Sequence, residues 1–110
     1  MKRVAVVLLL APLTIGCGPI EYISIVTFEA SKAVNEAKAS RASELAPYEY
    51  TAAVEYLHKA REVGGYARYH EAVEWGKRAR DFGHYATKLA RERTSAADAP
   101  PLAPMKAGNF

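Results

Sequence analysis

The fold is decided by residues 67–93, which have the sequence ARYHEAVEWGKRARDFGHYATKLARER. Small residues recur in this segment at alternating steps of four and three, a spacing that places them on one narrow stripe of an α-helix. They are Ala72, Gly76, Ala79, Gly83, Ala86 and Ala90. A glycine inside a helix costs about 1 kcal/mol relative to alanine, so we expect a closely approaching helix to offset the two glycines. The stripe is therefore predicted to be a helix-packing seam.

Two further helices are predicted before the seam. The first covers about residues 20–45, and its predicted inner face consists of Ile23, Val26, Ala30, Ala33, Ala37 and Ser40. The second covers about residues 47–63, because Pro47 disfavours helical geometry in the residue before it and is welcome at a first helical position. Gly64 and Gly65 then end this helix. The partner of the seam is either the alanine-rich face of the first helix or a second copy of the chain.

These patterns predict an all-α fold, either a small three-helix bundle or a helical hairpin with a long N-terminal helix. The helical domain covers residues 17–93. Residues 94–110 contain three prolines and no apolar period, and they are predicted to form a disordered C-terminal tail. The foldable part is roughly 75 residues, and a chain of that length buries too little surface for a large catalytic fold with an enclosed pocket.

The N-terminus has the layout of an export signal. Positive charge at Lys2 and Arg3 precedes an apolar run from Val4 to Leu13, and small residues follow. This order predicts a signal peptide at residues 1–16. The run is too short for a transmembrane helix, which needs about 20 apolar residues.

Cys17 is the single cysteine of the chain. A free thiol in an exported protein is open to oxidation, so its position directly after the signal requires an explanation. Residues 13–17, LTIGC, resemble the lipobox of bacterial lipoproteins, with Thr14 in place of the usual leucine. The resemblance implies that Cys17 carries a covalent diacylglycerol and, after cleavage, an N-acyl lipid. Ordinary secretion is the alternative, since Thr14 and Gly16 also suit a general signal peptidase.

A lipid on Cys17 would determine where the protein resides. Two or more acyl chains hold a protein on a membrane durably, since each buried CH₂ contributes about 0.8 kcal/mol. Gly18, and not aspartate, follows the cysteine. By resemblance to enterobacterial sorting, this implies an outer-membrane lipoprotein facing the periplasm, with inner-membrane retention left open.

Removal of Lys2 and Arg3 with the signal peptide lowers the formal charge of the chain from +3 to +1. A charge this small argues against a nucleic-acid partner.

Three segments resemble a family of short, alanine-rich bacterial envelope lipoproteins, domain of unknown function 4398. They are residues 46–50 (APYEY), 56–61 (YLHKAR) and 66–73 (YARYHEAV). A weaker resemblance to a single tetratricopeptide repeat involves Tyr56, Ala60, Tyr69, Ala72 and Ala79. The stronger resemblance implies an exported helical lipoprotein and no particular chemistry.

The sequence predicts no enzyme and no metal or cofactor beyond the lipid on Cys17. The histidines, His58, His70 and His84, are spaced by twelve and fourteen residues, which matches no metal motif. We therefore expect a non-catalytic interaction or structural module, whose partners are the membrane and a protein of the cell envelope or a second copy of itself. A self-assembling helical subunit of an envelope complex is one alternative.

A glycan-binding module is another alternative. Tyr66, Tyr69 and Trp75 are candidate contact residues, because exposed aromatic rings can stack on sugar rings. The same rings can instead fill gaps in an alanine-rich core while their polar atoms reach water.

Overall fold

The computed structural model describes residues 17–98, with side chains described from Pro19 onward. The signal predicted at residues 1–16, and residues 99–110 of the predicted tail, lie outside the described residues. Between residues 17 and 98 the chain forms helices joined by short connections, with no strand, and this confirms the all-α prediction.

Six helical elements follow one another along the chain. In order they are α1 (Cys17–Tyr22), a π-helix (Ile23–Ala30), α2 (Ser31–Ala39), α3 (Ala42–Leu45), α4 (Pro47–Gly65) and α5 (Tyr69–Asp98). The first three are continuous and are called the N-terminal helix (residues 17–39). This helix, α4 and α5 form a three-helix bundle, and α3 is a single turn between the first two.

The N-terminal helix ends at Ala39, whereas the sequence pattern predicted a helix to residue 45. Arg41 interrupts it by adopting the left-handed conformation, with φ 60° and ψ 31°. A residue with a side chain adopts this conformation at a cost of roughly 1–2 kcal/mol. In a sequence, glycine is the residue that usually indicates a left-handed position at a helix end, and residue 41 is an arginine. The helix break was therefore not predictable from composition.

Helix α5 is shifted from its predicted bounds of residues 67–93. It begins at Tyr69 because Ala67 is left-handed, with φ 60°, and belongs to the turn after α4. It ends at Asp98, so residues 94–98, assigned above to a disordered tail, are helical. The Thr94 hydroxyl donates to the Ala90 carbonyl at 2.8 Å in this extension. Residues 69–98 contain no proline that would interrupt the helix.

The core lies where the N-terminal helix and α4 both pack against α5. Eleven of the sixteen buried hydrophobic residues in the described chain are alanines. Because alanine is short, the helix axes can approach closely, and larger side chains such as Tyr56, Trp75 and Phe82 cover the contact from the side.

Candidate functional site

The seam of small residues on α5 is buried within the chain. All six members, Ala72, Gly76, Ala79, Gly83, Ala86 and Ala90, are inaccessible to solvent or nearly so. A Cβ atom added to Gly83 would lie 2.9 Å from the carbonyl carbon of Ala33, and one added to Gly76 would lie 2.8 Å from Cγ2 of Val26. The partner of the seam is therefore the N-terminal helix of the same chain, and the seam is packing surface.

The π-helix changes which residues of the N-terminal helix face inward. Val26, Ala30, Ala33 and Ala37 are buried as predicted, but Ile23, also predicted for the inner face, is 48% exposed. The reason is the wider i→i+5 hydrogen bonding of the π-helix, which begins at Ile23, so that a spacing of three residues no longer places Ile23 on the same face as Val26. Tyr22 packs against the core in this region instead.

Polar contacts join the N-terminal helix to the other two helices. The Ser31 hydroxyl donates to the Val26 carbonyl at 2.9 Å, and Arg61 on α4 donates to the same hydroxyl oxygen at 2.9 Å. Arg80 on α5 pairs with Glu29 at 2.9 Å. The hydrogen bond to Glu29 raises the pKa of Arg80. These contacts hold the π-helix between α4 and α5.

The candidate aromatic residues do not form one platform. Tyr66 is 75% exposed in the α4–α5 turn. Tyr69 is half-buried, with its ring centroid 5.4 Å from that of Tyr22. Trp75 stacks on Tyr56 at 5.7 Å and 20°, and the Arg78 guanidinium lies 4.8 Å from the Trp75 ring. Tyr69 and Trp75 are thus already engaged with rings of their own chain.

The start of the N-terminal helix and the α4–α5 turn lie next to each other at one end of the bundle. The ring of Tyr22 lies against Gly64 and beside Tyr69, which fixes these two parts next to each other. Helix α1 begins at Cys17. Ile20 and Ile23 are exposed here, as is Tyr66 in the turn. We call this region, residues 17–23 and 64–69, the Cys17 end.

A groove separates the N-terminal helix from α4, because both helices pack chiefly on α5. Its lining residues are Ser31, Val34, Asn35, Lys38, Tyr50, Val54, Leu57, His58 and Arg61. Val34, Val54 and Leu57 provide an apolar floor. The charged side chains at the rim, Lys38 and Arg61, are both basic. The groove therefore combines apolar surface with positive charge.

Three further observations concern the histidines, metal ligands and membrane-spanning helices. His58, His70 and His84 are all exposed. Among the described side chains, those of residues 19–98, no group of three or more His, Cys, Asp or Glu residues is placed to hold a metal ion. None of the helices within these residues is both long enough and apolar enough to cross a membrane.

No family model, curated protein or solved structure matches the chain.

Proposed function

We propose that the protein is a lipid-anchored lipoprotein of the bacterial cell envelope, whose helical bundle is a non-catalytic interaction module facing the periplasm. The observation that carries this proposal is the position of Cys17, which lies directly after the predicted export signal and already within helix α1. Cys17 is the single cysteine of the chain and follows the predicted export signal. Diacylglycerol and an N-acyl chain on this residue would hold the bundle directly at the bilayer, without a flexible spacer.

The outer membrane is the proposed location, since Gly18 follows the cysteine. The resemblance to domain of unknown function 4398 stays a prediction and agrees with an exported helical lipoprotein. Neither the location nor the family resemblance is needed for the anchor, which depends on Cys17 alone.

The groove between the N-terminal helix and α4 is the proposed surface for a protein partner. An apolar floor with Lys38 and Arg61 at its rim suits a helix that presents apolar side chains flanked by carboxylates. The hydrogen bond from Arg61 to Ser31 keeps one of these positive charges in place. Such charges contribute mainly to the specificity and the rate of association.

The alternatives of self-assembly and glycan binding have less support. The sequence left self-assembly open because the small-residue seam needed a partner helix, and Ala33 on the N-terminal helix of the same chain already meets the seam. Glycan stacking needs free ring faces, whereas Trp75 is stacked on Tyr56 and Tyr69 lies beside Tyr22.

Metabolic labelling with a radioactive fatty acid tests the anchor. The full-length protein should become labelled and remain with the membrane fraction, and Cys17→Ser should do neither. If both proteins are released equally into the soluble fraction, the anchor is wrong.

Site-specific photocrosslinking tests the groove. A benzoylphenylalanine at His58, on the groove wall, should capture one defined envelope protein, and Lys38→Glu should abolish the product. The same amino acid at His84, which is exposed on α5, is the matched control. Equal crosslinking from both positions would contradict a partner in the groove, and a product consisting of two copies of the chain would support the self-assembly alternative.

A further inference from the structure

The Cys17 end exposes apolar side chains that the bundle leaves uncovered. Ile20 is 69% exposed and Ile23 is 48% exposed, on the first turns of the N-terminal helix. Tyr66 is 75% exposed in the neighbouring α4–α5 turn. Large apolar residues grouped on a surface are typical of interaction sites.

We propose that the Cys17 end rests in the interface of a phospholipid bilayer, with Ile20, Ile23 and Tyr66 in contact with lipid. This inference rests on the proposed lipid anchor. The predicted acylation site identifies the occupant, because Cys17 lies three residues before Ile20 on the same helix. A bilayer that contains the acyl chains of Cys17 therefore lies next to Ile20 and Ile23.

The spacing along the helix matches the depth of a membrane interface. At 1.5 Å per residue, Ile20 and Ile23 lie about 4.5 and 9 Å along the axis from Cys17. Helices that lie in the membrane plane bury their apolar faces about 5–10 Å into the boundary between headgroups and acyl chains, so side chains within about 10 Å of an acylated Cys17 are within reach of this layer. Phe28 is also exposed, but it lies five residues beyond Ile23 along the N-terminal helix and so falls outside this layer if the bundle stands upright.

The contact is apolar in character and not electrostatic. Arg68, the basic residue of the turn, pairs with Glu71, and Glu21 is exposed beside Ile20. These three side chains therefore leave one negative charge, on Glu21, which does not attract anionic headgroups. Tyrosine suits an interface because its ring is apolar and its hydroxyl reaches water.

Two tyrosines provide a matched pair of positions for the test. Tyr66 at the Cys17 end is 75% exposed, and Tyr48 at the opposite end of α4 is 74% exposed. Each is replaced by tryptophan in a Trp75→Phe background, and the full-length lipoprotein is reconstituted into phosphatidylcholine vesicles whose acyl chains are brominated near the headgroup. Bromine quenches tryptophan only at short range, so position 66 should lose most of its fluorescence and position 48 none.

The outcomes separate the contact from the anchor. If both proteins float with the vesicles but are quenched equally, or not at all, the contact is overturned and the anchor stands. If neither protein floats, the anchor is overturned and this inference falls with it. Loss of quenching at position 66 in about 1 M salt, where the Debye length is about 3 Å, would overturn an apolar contact.

A second set of variants keeps the proposal testable without the Trp75→Phe change. In the chain that retains Trp75, the Tyr66→Trp variant should still be quenched more than the Tyr48→Trp variant. Adding Ile20→Ser and Ile23→Ser should reduce the quenching at position 66, whereas Phe28→Ser should leave it unchanged. A larger effect of Phe28→Ser would overturn the upright contact through Ile20 and Ile23.

Discussion

Gly83 on α5 lies against the backbone of Ala33 on the N-terminal helix, with no room for a side chain between them. A Cβ atom on Gly83 would stand 2.9 Å from the carbonyl carbon and 3.0 Å from the carbonyl oxygen of Ala33. Ala33 itself is fully buried. Since the atoms in the way belong to a helix backbone and not to the end of a flexible side chain, whole helices must move to accommodate a methyl group.

We therefore expect Gly83→Ala to lower the free energy of unfolding. Overpacking a close-packed core costs about 1–3 kcal/mol, which outweighs the gain of up to about 1 kcal/mol in helix propensity. Urea unfolding followed by circular dichroism measures the difference. Gly65→Ala is the matched control, because a Cβ there meets no atom within 4 Å. It should leave stability unchanged or increase it, and a stabilised Gly83→Ala would contradict the close approach.

The contact between Gly64 and Tyr22 can be tested by a double-mutant cycle. A Cβ on Gly64 would overlap the tyrosine ring and lie 2.7 Å from its hydroxyl oxygen. Gly64→Ala should therefore destabilise the protein, and it should do so less when Tyr22→Ala is also present. Coupling between contacting residues is on the order of 0.5–3 kcal/mol. Additive changes in the free energy of unfolding would show that the Cys17 end is not held together by this contact.

The sequence correctly predicted those helical features that depend on a single residue or on residues close together in the chain. Pro47 is at the first turn of α4, as its fixed φ favours. The alternating small residues of α5 are buried because their period matches the helix. Both features follow from properties of the residue itself or of its near neighbours along one helix.

Features that depend on tertiary contacts were missed. Arg41 and Ala67 both adopt the left-handed backbone conformation, although neither is the glycine that usually marks such a position. The π-helix was also not anticipated, and it moves Ile23 from the predicted inner face to the surface. The groove was missed for a similar reason. Its lining residues come from two different helices, the N-terminal helix and α4, and no pattern along one helix indicates how two helices lie against each other.

The ion pair between Arg80 and Glu29 should contribute modestly and should respond to salt. Glu29→Gln is expected to lower stability by less than about 1 kcal/mol, because the Glu29 side chain is 45% exposed. The difference from the wild type should shrink in about 1 M salt. Glu36→Gln, which removes a 3.9 Å pair with the exposed Lys32, should have no measurable effect. A larger loss for Glu36→Gln than for Glu29→Gln would contradict this ranking.

The same pair has a defined pH dependence. The hydrogen bond to Glu29 raises the pKa of Arg80 above the ordinary arginine value. A group whose pKa is raised by folding contributes stability below its unfolded-state pKa and loses it only as pH rises through the folded-state value. The contribution of Arg80 should therefore be constant across neutral pH, and urea midpoints of wild type and Arg80→Gln should differ by the same amount throughout that range. A difference that disappears near neutrality would contradict this assignment.

Trp75 fluorescence tests whether the aromatic side chains are packing residues. The Trp75 ring is stacked on Tyr56 at 5.7 Å, so Tyr56→Ala should shift its emission to longer wavelength and increase its quenching by acrylamide. Tyr85→Ala, at an exposed position on the same helix, should change neither. Titration with envelope polysaccharides should leave the emission unchanged, because the Trp75 ring is already stacked on Tyr56 and has the Arg78 guanidinium 4.8 Å from its centroid. A saturable change upon glycan addition, lost in Tyr66→Ala, would instead favour the glycan-binding alternative.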